Sequence, residues 1–256
     1  MAAPKGPGKG GNATVPGLAA RKAASDILGK VTGKGRPLDQ EIDPQNGHAG
    51  FKALDVRDRG LVRAILGAAL RRRGQISAVL EALLERPIPE KSGVVECLLH
   101  VGLTQILFMD VPDHAAVSIA VDQVGRNEKT WRYKGLANAV LRRVIRERAL
   151  FARTPEEAGR LNTPDWLWGR WSGAYGEETA TAISVAHMAT PGLDLSVKDD
   201  PRGWAERLGG IVLPTGTVRL ATVGAVPELD GFEDGAWWVQ DAAAALPARL
   251  LRDVAG

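Results

Sequence analysis

The chain has 256 residues, 45% hydrophobic and 25% charged, which excludes wholesale disorder and leaves room for one large or two ordinary domains. No apolar run reaches the roughly 18–20 residues that span a bilayer, the opening MAAPKGPGKGGNATVPG has no apolar core of a signal peptide, and the single cysteine, Cys97, excludes an internal disulfide; all of this fits a reducing, cytoplasmic setting. The net charge of +3 divides unevenly, +9 over residues 1–150 and −6 over 151–256, so the first half suits a polyanionic partner, with a merely solvated basic surface as the alternative.

Residues 1–16 are rich in Gly, Pro and Lys and read as a flexible tail. Their GPGKGG matches the glycine spacing of a phosphate loop at Gly6, Gly8 and Gly11, but no strand precedes it and no helix opens on it. From Leu18 the spacing of Ala20, Ala23, Ala24, Ile27, Leu28 and Val31 predicts a helix closed by Gly33 and Gly35, with a short second one from Leu38 to about Gly47. Asp55 suits the N-cap of a helix carrying Val56, Leu61, Ile65, Ala68 and Ala69. Helices follow over Gln75–Glu85, which Pro87 and Pro89 stop, from Ser92 through Ile106, from Pro112-Asp113, and over Trp131–Ala149. No segment alternates with period two, so residues 17–150 are expected to form an all-α domain of about seven helices. Residues 151–163 lose apolar periodicity and read as a linker. From residue 164, two short helices precede β-like pieces at 193–197, 211–213, 217–221 and 236–240, interleaved with a helical WAERLG and a final helix from Asp241. The expected fold is therefore mainly α, a helical bundle followed by a small α+β subdomain over 164–256.

Several polar residues invite a function. Lys134, Asn138, Arg142 and Arg146 stand four apart and share one helical stripe, with Arg132 and Arg143 nearby, while Leu136, Val140 and Val144 are expected to face the core. Such a stripe is either a contact for phosphates or a solvated face paired with acids such as Glu147. Arg71, Arg72 and Arg73 mark a helix end, where the helix dipole alone accounts for cations. His48, His100 and His187 have no metal-ligand spacing, and His114 follows Pro112-Asp113, where local hydrogen bonding suffices. Cys97 lies in VVECLLHVG, the setting of an inert core thiol. Trp166, Trp168 and Trp171 are expected to pack rather than stack on bases, and of the strand neighbours Trp237 and Trp238 one faces inward. Asp241 suits an N-cap at the last strand-to-helix junction.

The order DVRDRGLVRAILGAALRR, VVECLLHVGLTQILFMDVPDHAAVSIAVDQV and KGLANAVLRR resembles the NusB domain, an all-α RNA-binding module. The continuation TPDWLWGRWSGAYGEETA, LDLSVK and WWVQDAAA is similar to the linker and pre-catalytic subdomain of the RsmB/Sun-type 16S ribosomal-RNA cytosine-C5 methyltransferases. Where many members of that family have Leu-Arg-Val-Asn, this chain has Leu195, Ser196, Val197 and Lys198, so no RNA contact is assigned to that strand.

The resemblance implies rRNA processing with S-adenosylmethionine, through a cysteine thiolate that adds to C6 so that C5 can take the methyl group. It places the cofactor loop and both catalytic cysteines in a Rossmann-like domain beyond Gly256. This chain is accordingly expected to be truncated before its catalytic domain, to bind no cofactor, catalytic residue or metal of its own, and to be inactive alone. The missing domain is expected to pack on residues 237–251, through Trp237, Trp238, Leu246, Leu250 and Leu251, which would leave the chain less soluble than residues 1–150 alone. With the basic first half, the resemblance favours 16S rRNA as the partner of Lys134, Asn138, Arg142 and Arg146, joined by Arg132, Arg143 and Arg71–73, with Lys5, Lys9, Arg21 and Lys22 adding non-specific attraction. A free-standing transcription antitermination protein of the NusB type is the alternative, and its natural length ends near residue 150.

Overall fold

The computed structural model describes residues 16–89, 92–221 and 226–249, and the chain divides after Met188 into two units. Most of the expected tail, with Lys5 and Lys9, lies outside the described residues, as do Leu250 and Leu251.

In the first unit α1 (Leu18–Lys34) runs between Gly17 and Gly35, both in the left-handed region. Its face of Ala20, Ala23, Ala24, Ile27 and Leu28 is buried against α4 (Val56–Arg71) and α6 (Gly93–Phe108). The helix expected over Leu38–Gly47 is shorter. Asp43 Oδ1 accepts the N–H groups of Gln45 and Asn46, turning the chain, so α2 covers only Leu38–Glu41 and α3 restarts at Ala49–Lys52. Helix α3 seats the fully buried Phe51. Asp55 caps α4 as expected, its Oδ1 accepting Asp58 N–H at 2.7 Å.

Helix α6 is apolar on more than one side because it separates two cores. Val101 joins α1, α4 and Phe51, while Val95, Leu98, Leu99, Leu103 and Ile106 join α5 (Arg73–Leu83), α7 (Asp113–Arg126) and α8 (Lys134–Arg146). A buried polar link crosses the first core, where Arg21 Nε donates to Gln105 Oε1 at 2.6 Å.

The stretch read as a linker holds a helix, α9 (Pro155–Asn162). Its start is fixed locally: Thr154 and Glu157 form a capping box, and Pro155 occupies the first turn. Periodicity missed it because its buried face is only Ala158 and Gly159, too small to register as apolar. It packs on α5, and with α10 (Asp165–Tyr175) and α11 (Glu177–Ala186) it completes the helical unit.

The second unit is an antiparallel sheet in the order β2-β3-β1-β4, formed by β1 (Leu193–Val197), β2 (Ile211–Val212), β3 (Val218–Leu220) and β4 (Trp237–Val239). All four lie where the sequence predicts strands. Leu195, Val218, Leu220 and Trp237 form its core with Ala205 of α12 (Pro201–Leu208), and α13 (Ala242–Arg249) packs on β1. Trp237 is 3% exposed and its indole N–H donates to Asp230 O at 2.9 Å, while Trp238 faces out. The protein is thus a helical bundle followed by a small α+β part.

Candidate nucleic-acid interface

Helix α8 turns Ala137, Val140, Leu141 and Val144 into the second core. Leu136, expected beside them, is instead 38% exposed, because it lies one position outside the buried arc. The opposite arc carries the polar stripe. Lys134, Arg142 and Arg146 are exposed and make no ion pair among the described residues. Asn138 Oδ1 accepts from Arg142 Nε at 2.9 Å, which orients the guanidinium along the helix. Exposed Arg132 stands in the 3-10 turn just before α8. Arg143 is bound within its own helix, its Nε 3.0 Å from Glu147 Oε2, so its charge is partly spent locally.

The stripe borders a groove of about 520 Å³ between α7 and α8, where Lys134, Asn138 and Arg142 meet His114, Ser118 and Asp122 over a floor of Val117, Val121 and Ile145. The lysine stem lies over Gly125 of α7, where an added Cβ would meet Lys134 Cδ at 2.9 Å. Asp122, the one carboxylate among the described residues lining the groove, pairs with Arg126 at 2.7 Å, though without hydrogen-bond geometry at that oxygen. The groove therefore presents two unopposed cations, an amide, a hydroxyl and an imidazole.

The three adjacent arginines separate in space. Arg71 ends α4 in a recess lined by Asn162, Pro164 and Trp171. Arg72 is half-buried, 5.3 Å above the Phe108 ring, and donates to Gln75 Oε1 at 3.2 Å and towards Met188 Sδ at 3.0 Å. Burial and the neighbouring Arg71 hold its guanidinium below its ordinary basicity, and these contacts are those of a packing residue. Arg73 starts α5, is exposed and lines a different concavity. The aromatics also differ from expectation. Trp168 lies under Arg160 at 5.1 Å and Trp171 meets His187 edge-on at 5.1 Å, but Trp166 is 66% exposed. Among the described residues no group of three or more potential metal ligands occurs, and no helix is long and apolar enough to cross a membrane.

Sequence reading missed His114 and Ser118 as partners of the stripe. The signal was weak: both lie on the exposed side of α7 four residues apart, as do Lys134 and Asn138 on α8.

Relatives named ribosomal RNA small subunit methyltransferase B match 92% of the chain, at 35% identity in Xanthomonas campestris, 36% in Xylella fastidiosa and 31% in Vibrio cholerae. The matches cover 54%, 54% and 56% of those proteins, so the chain spans about half the length of the curated relatives it matches. The crystal structure of PH0851 superposes over 94% of this chain and 56% of its own with a TM-score of 0.56; at 17% identity that likeness speaks for the fold alone. The sequence model of the NusB family matches residues 18–146, from the start of α1 to the end of α8, which is just over half of the chain and includes the whole α7/α8 groove. By that match the chain belongs to the NusB family.

Proposed function

We propose that this chain binds structured RNA through the α7/α8 groove and its rim, and that within a longer protein of the relatives' kind it positions 16S rRNA for a cytosine-C5 methyltransferase using S-adenosylmethionine. The observation that carries this reading is the convergence of Lys134, Asn138 and Arg142 on one groove where the carboxylate lining it among the described residues, Asp122, is already paired. Cations without an ion-pair partner among the described residues are free to neutralise phosphates, and Arg142, oriented by Asn138, can hold one in a fixed direction. The apolar floor and the imidazole suit sugar and base edges, which an RNA-binding module contacts besides phosphate. Arg146, Arg132 and Arg143 would extend the track, Arg71 and Arg73 are weaker candidates, and Arg72 is the weakest because its guanidinium is engaged.

The second unit supports the other half of the reading. Trp238 and Val239 on the edge strand and Leu246 on α13 are about half exposed, apolar surface of the kind a further domain covers. In the longer protein the catalytic half would pack there and supply the cofactor loop and the thiolates.

The test is binding of the chain to a small-subunit rRNA hairpin and to an unrelated duplex across a salt series. Preference for the hairpin is expected. Changing Lys134, Arg142 and Arg146 together to Ala should lower the slope of log affinity against log salt by about 2. Absence of binding at low salt, or an unchanged slope in the triple variant, would sink the reading.

A further inference from the structure

A second concavity of about 620 Å³ lies between α1, His48 before α3, the start of α5 and α6, and it shares no lining residue with the α7/α8 groove. Its wall contains His100, which is 5% exposed. Among the described residues no hydrogen bond reaches either ring nitrogen of His100; the nearest carboxylate oxygen, Glu96 Oε1, stands 3.8 Å from Nε2, and Thr104 takes only the backbone carbonyl. Burial and nearby Arg73 push this imidazole down to about 4, so near neutral pH it keeps one N–H and one lone pair, both unmet. Although the ring as a whole is buried, its nitrogens are not among the fully enclosed polar atoms of the described residues, so what the protein leaves unpaired on His100 is open to a ligand in the concavity it lines.

The surroundings define what that partner looks like. Arg73 and Lys34 line the concavity and make no ion pair among the described residues, whereas Lys30 is tied to Glu41 at 2.9 Å. Cys97 adds no charge, because burial pushes its thiol up to about 11. Asp26 and Glu96 supply acceptors without a formal ion pair to a Lys or Arg. Gly29 and Gly33, one turn apart on α1, keep the floor low; a Cβ at Gly33 would meet nothing within 4 Å. The wall thus offers a donor-acceptor imidazole, carboxylates able to take an amino group, and two cations able to take a phosphate.

We propose that this groove receives one unstacked nucleotide bearing an exocyclic amino group, its base edge on His100 and Glu96 and its phosphate on Arg73 and Lys34. The inference rests on the RNA-binding reading but uses a separate site, so the two can fail separately.

The experiment titrates the whole chain with cytidine monophosphate, uridine monophosphate and inorganic phosphate while following the His100 ring resonances by NMR. Cytidine monophosphate should move those resonances and bind roughly tenfold more tightly than uridine monophosphate, which presents a carbonyl to Glu96 instead of an amine. His100→Phe should weaken binding roughly fivefold by removing the hydrogen-bonding atoms. Gly33→Leu, which fills the groove from the exposed side of α1, should abolish it while thermal unfolding stays cooperative. No shift at millimolar cytidine monophosphate, or shifts that inorganic phosphate reproduces in full, would overturn the proposal. Hairpin binding that survives in the Gly33→Leu chain while nucleotide binding is absent even in the unaltered chain overturns this site alone. Nucleotide binding that persists when the hairpin fails to bind overturns the α7/α8 reading alone.

Discussion

Asp194 is 5% exposed and takes three donors: Arg219 Nε at 2.6 Å, Arg219 Nη2 at 2.7 Å and Ala242 N–H at 3.0 Å. One carboxylate therefore ties β3 to β1 and starts α13. The Arg219 hydrogen bonds hold Asp194 below the usual carboxylate range. Asp194→Asn keeps the shape but loses the charge-assisted pair, and should cost about 2 kcal/mol in denaturant unfolding, below the value for a fully buried pair because Arg219 is partly solvated. His100 and Asp194 also define two acid windows. The folded-state value of His100, about 4, lies below its unfolded value, so the unfolded chain takes the proton first. Its contribution is complete above about pH 6.5 and falls towards pH 4 by an amount on the order of 3 kcal/mol. Asp194, also depressed, contributes above its unfolded value near ~3.9 and loses that contribution as pH falls through its lower folded value. His100→Gln should flatten the upper part of the stability-pH curve and Asp194→Asn the lower part. An upper window that persists in His100→Gln would assign that loss of stability to other groups.

At the level of elements, glycines separate packing from propensity. Gly74 opens α5 against α9, and an added Cβ there would run into the backbone carbonyl of Leu161. The same contact is secured by Asn162, which accepts Gln75 N–H at 3.0 Å and donates to Gln75 Oε1 at 2.8 Å. Gly74→Ala should destabilise the helical unit by about 1–3 kcal/mol despite alanine's better helix propensity, because α9 must shift. Gly60, exposed in α4 with nothing within 4 Å of an added methyl, should behave oppositely, gaining about 0.5–1 kcal/mol on replacement by Ala. Paired unfolding curves check both signs. These positions also mark what was legible. The apolar spacing of α1, α4, α6 and α8 is visible directly in the chain because each repeats it over three or more turns, and β1, β3 and β4 are visible through the large side chains Leu195, Val218, Leu220 and Trp237; β2 shows only through its β-branched Ile211 and Val212, which are exposed. Helix α9 was not, since its interface consists of Ala158, Gly159 and backbone. For the candidate interface, the stripe on α8 follows from four-residue spacing, but the groove needs α7, and no spacing within one helix reveals its neighbour. The division of Arg71, Arg72 and Arg73 was equally hidden: the break between α4 and α5 falls inside the triplet and turns the middle guanidinium onto Phe108.

Over the whole molecule, positive charge gathers in the first unit, while the second adds exposed apolar residues at Trp238, Val239 and Leu246. The residues up to Met188 carry 27 Lys and Arg against 20 Asp and Glu, while those from Ala189 carry 6 against 10. A polyanion is attracted by the first unit and opposed by the second, and every residue proposed here to touch RNA lies in the first. Removing residues 189–256 should therefore leave hairpin affinity unchanged or raise it by about twofold at low salt, and the gain should vanish near ~0.5 M salt as the Debye length contracts. The same removal takes away Trp238, Val239 and Leu246, so the shortened chain should also stay soluble at higher concentration. Both outcomes together fit a division of labour in which the helical unit grips RNA and the α+β unit offers a face to another domain. A tenfold loss of hairpin affinity on removing residues 189–256, with the helical content of the remainder intact by circular dichroism, would instead place RNA contacts on the sheet unit and reassign the exposed edge strand to nucleic acid.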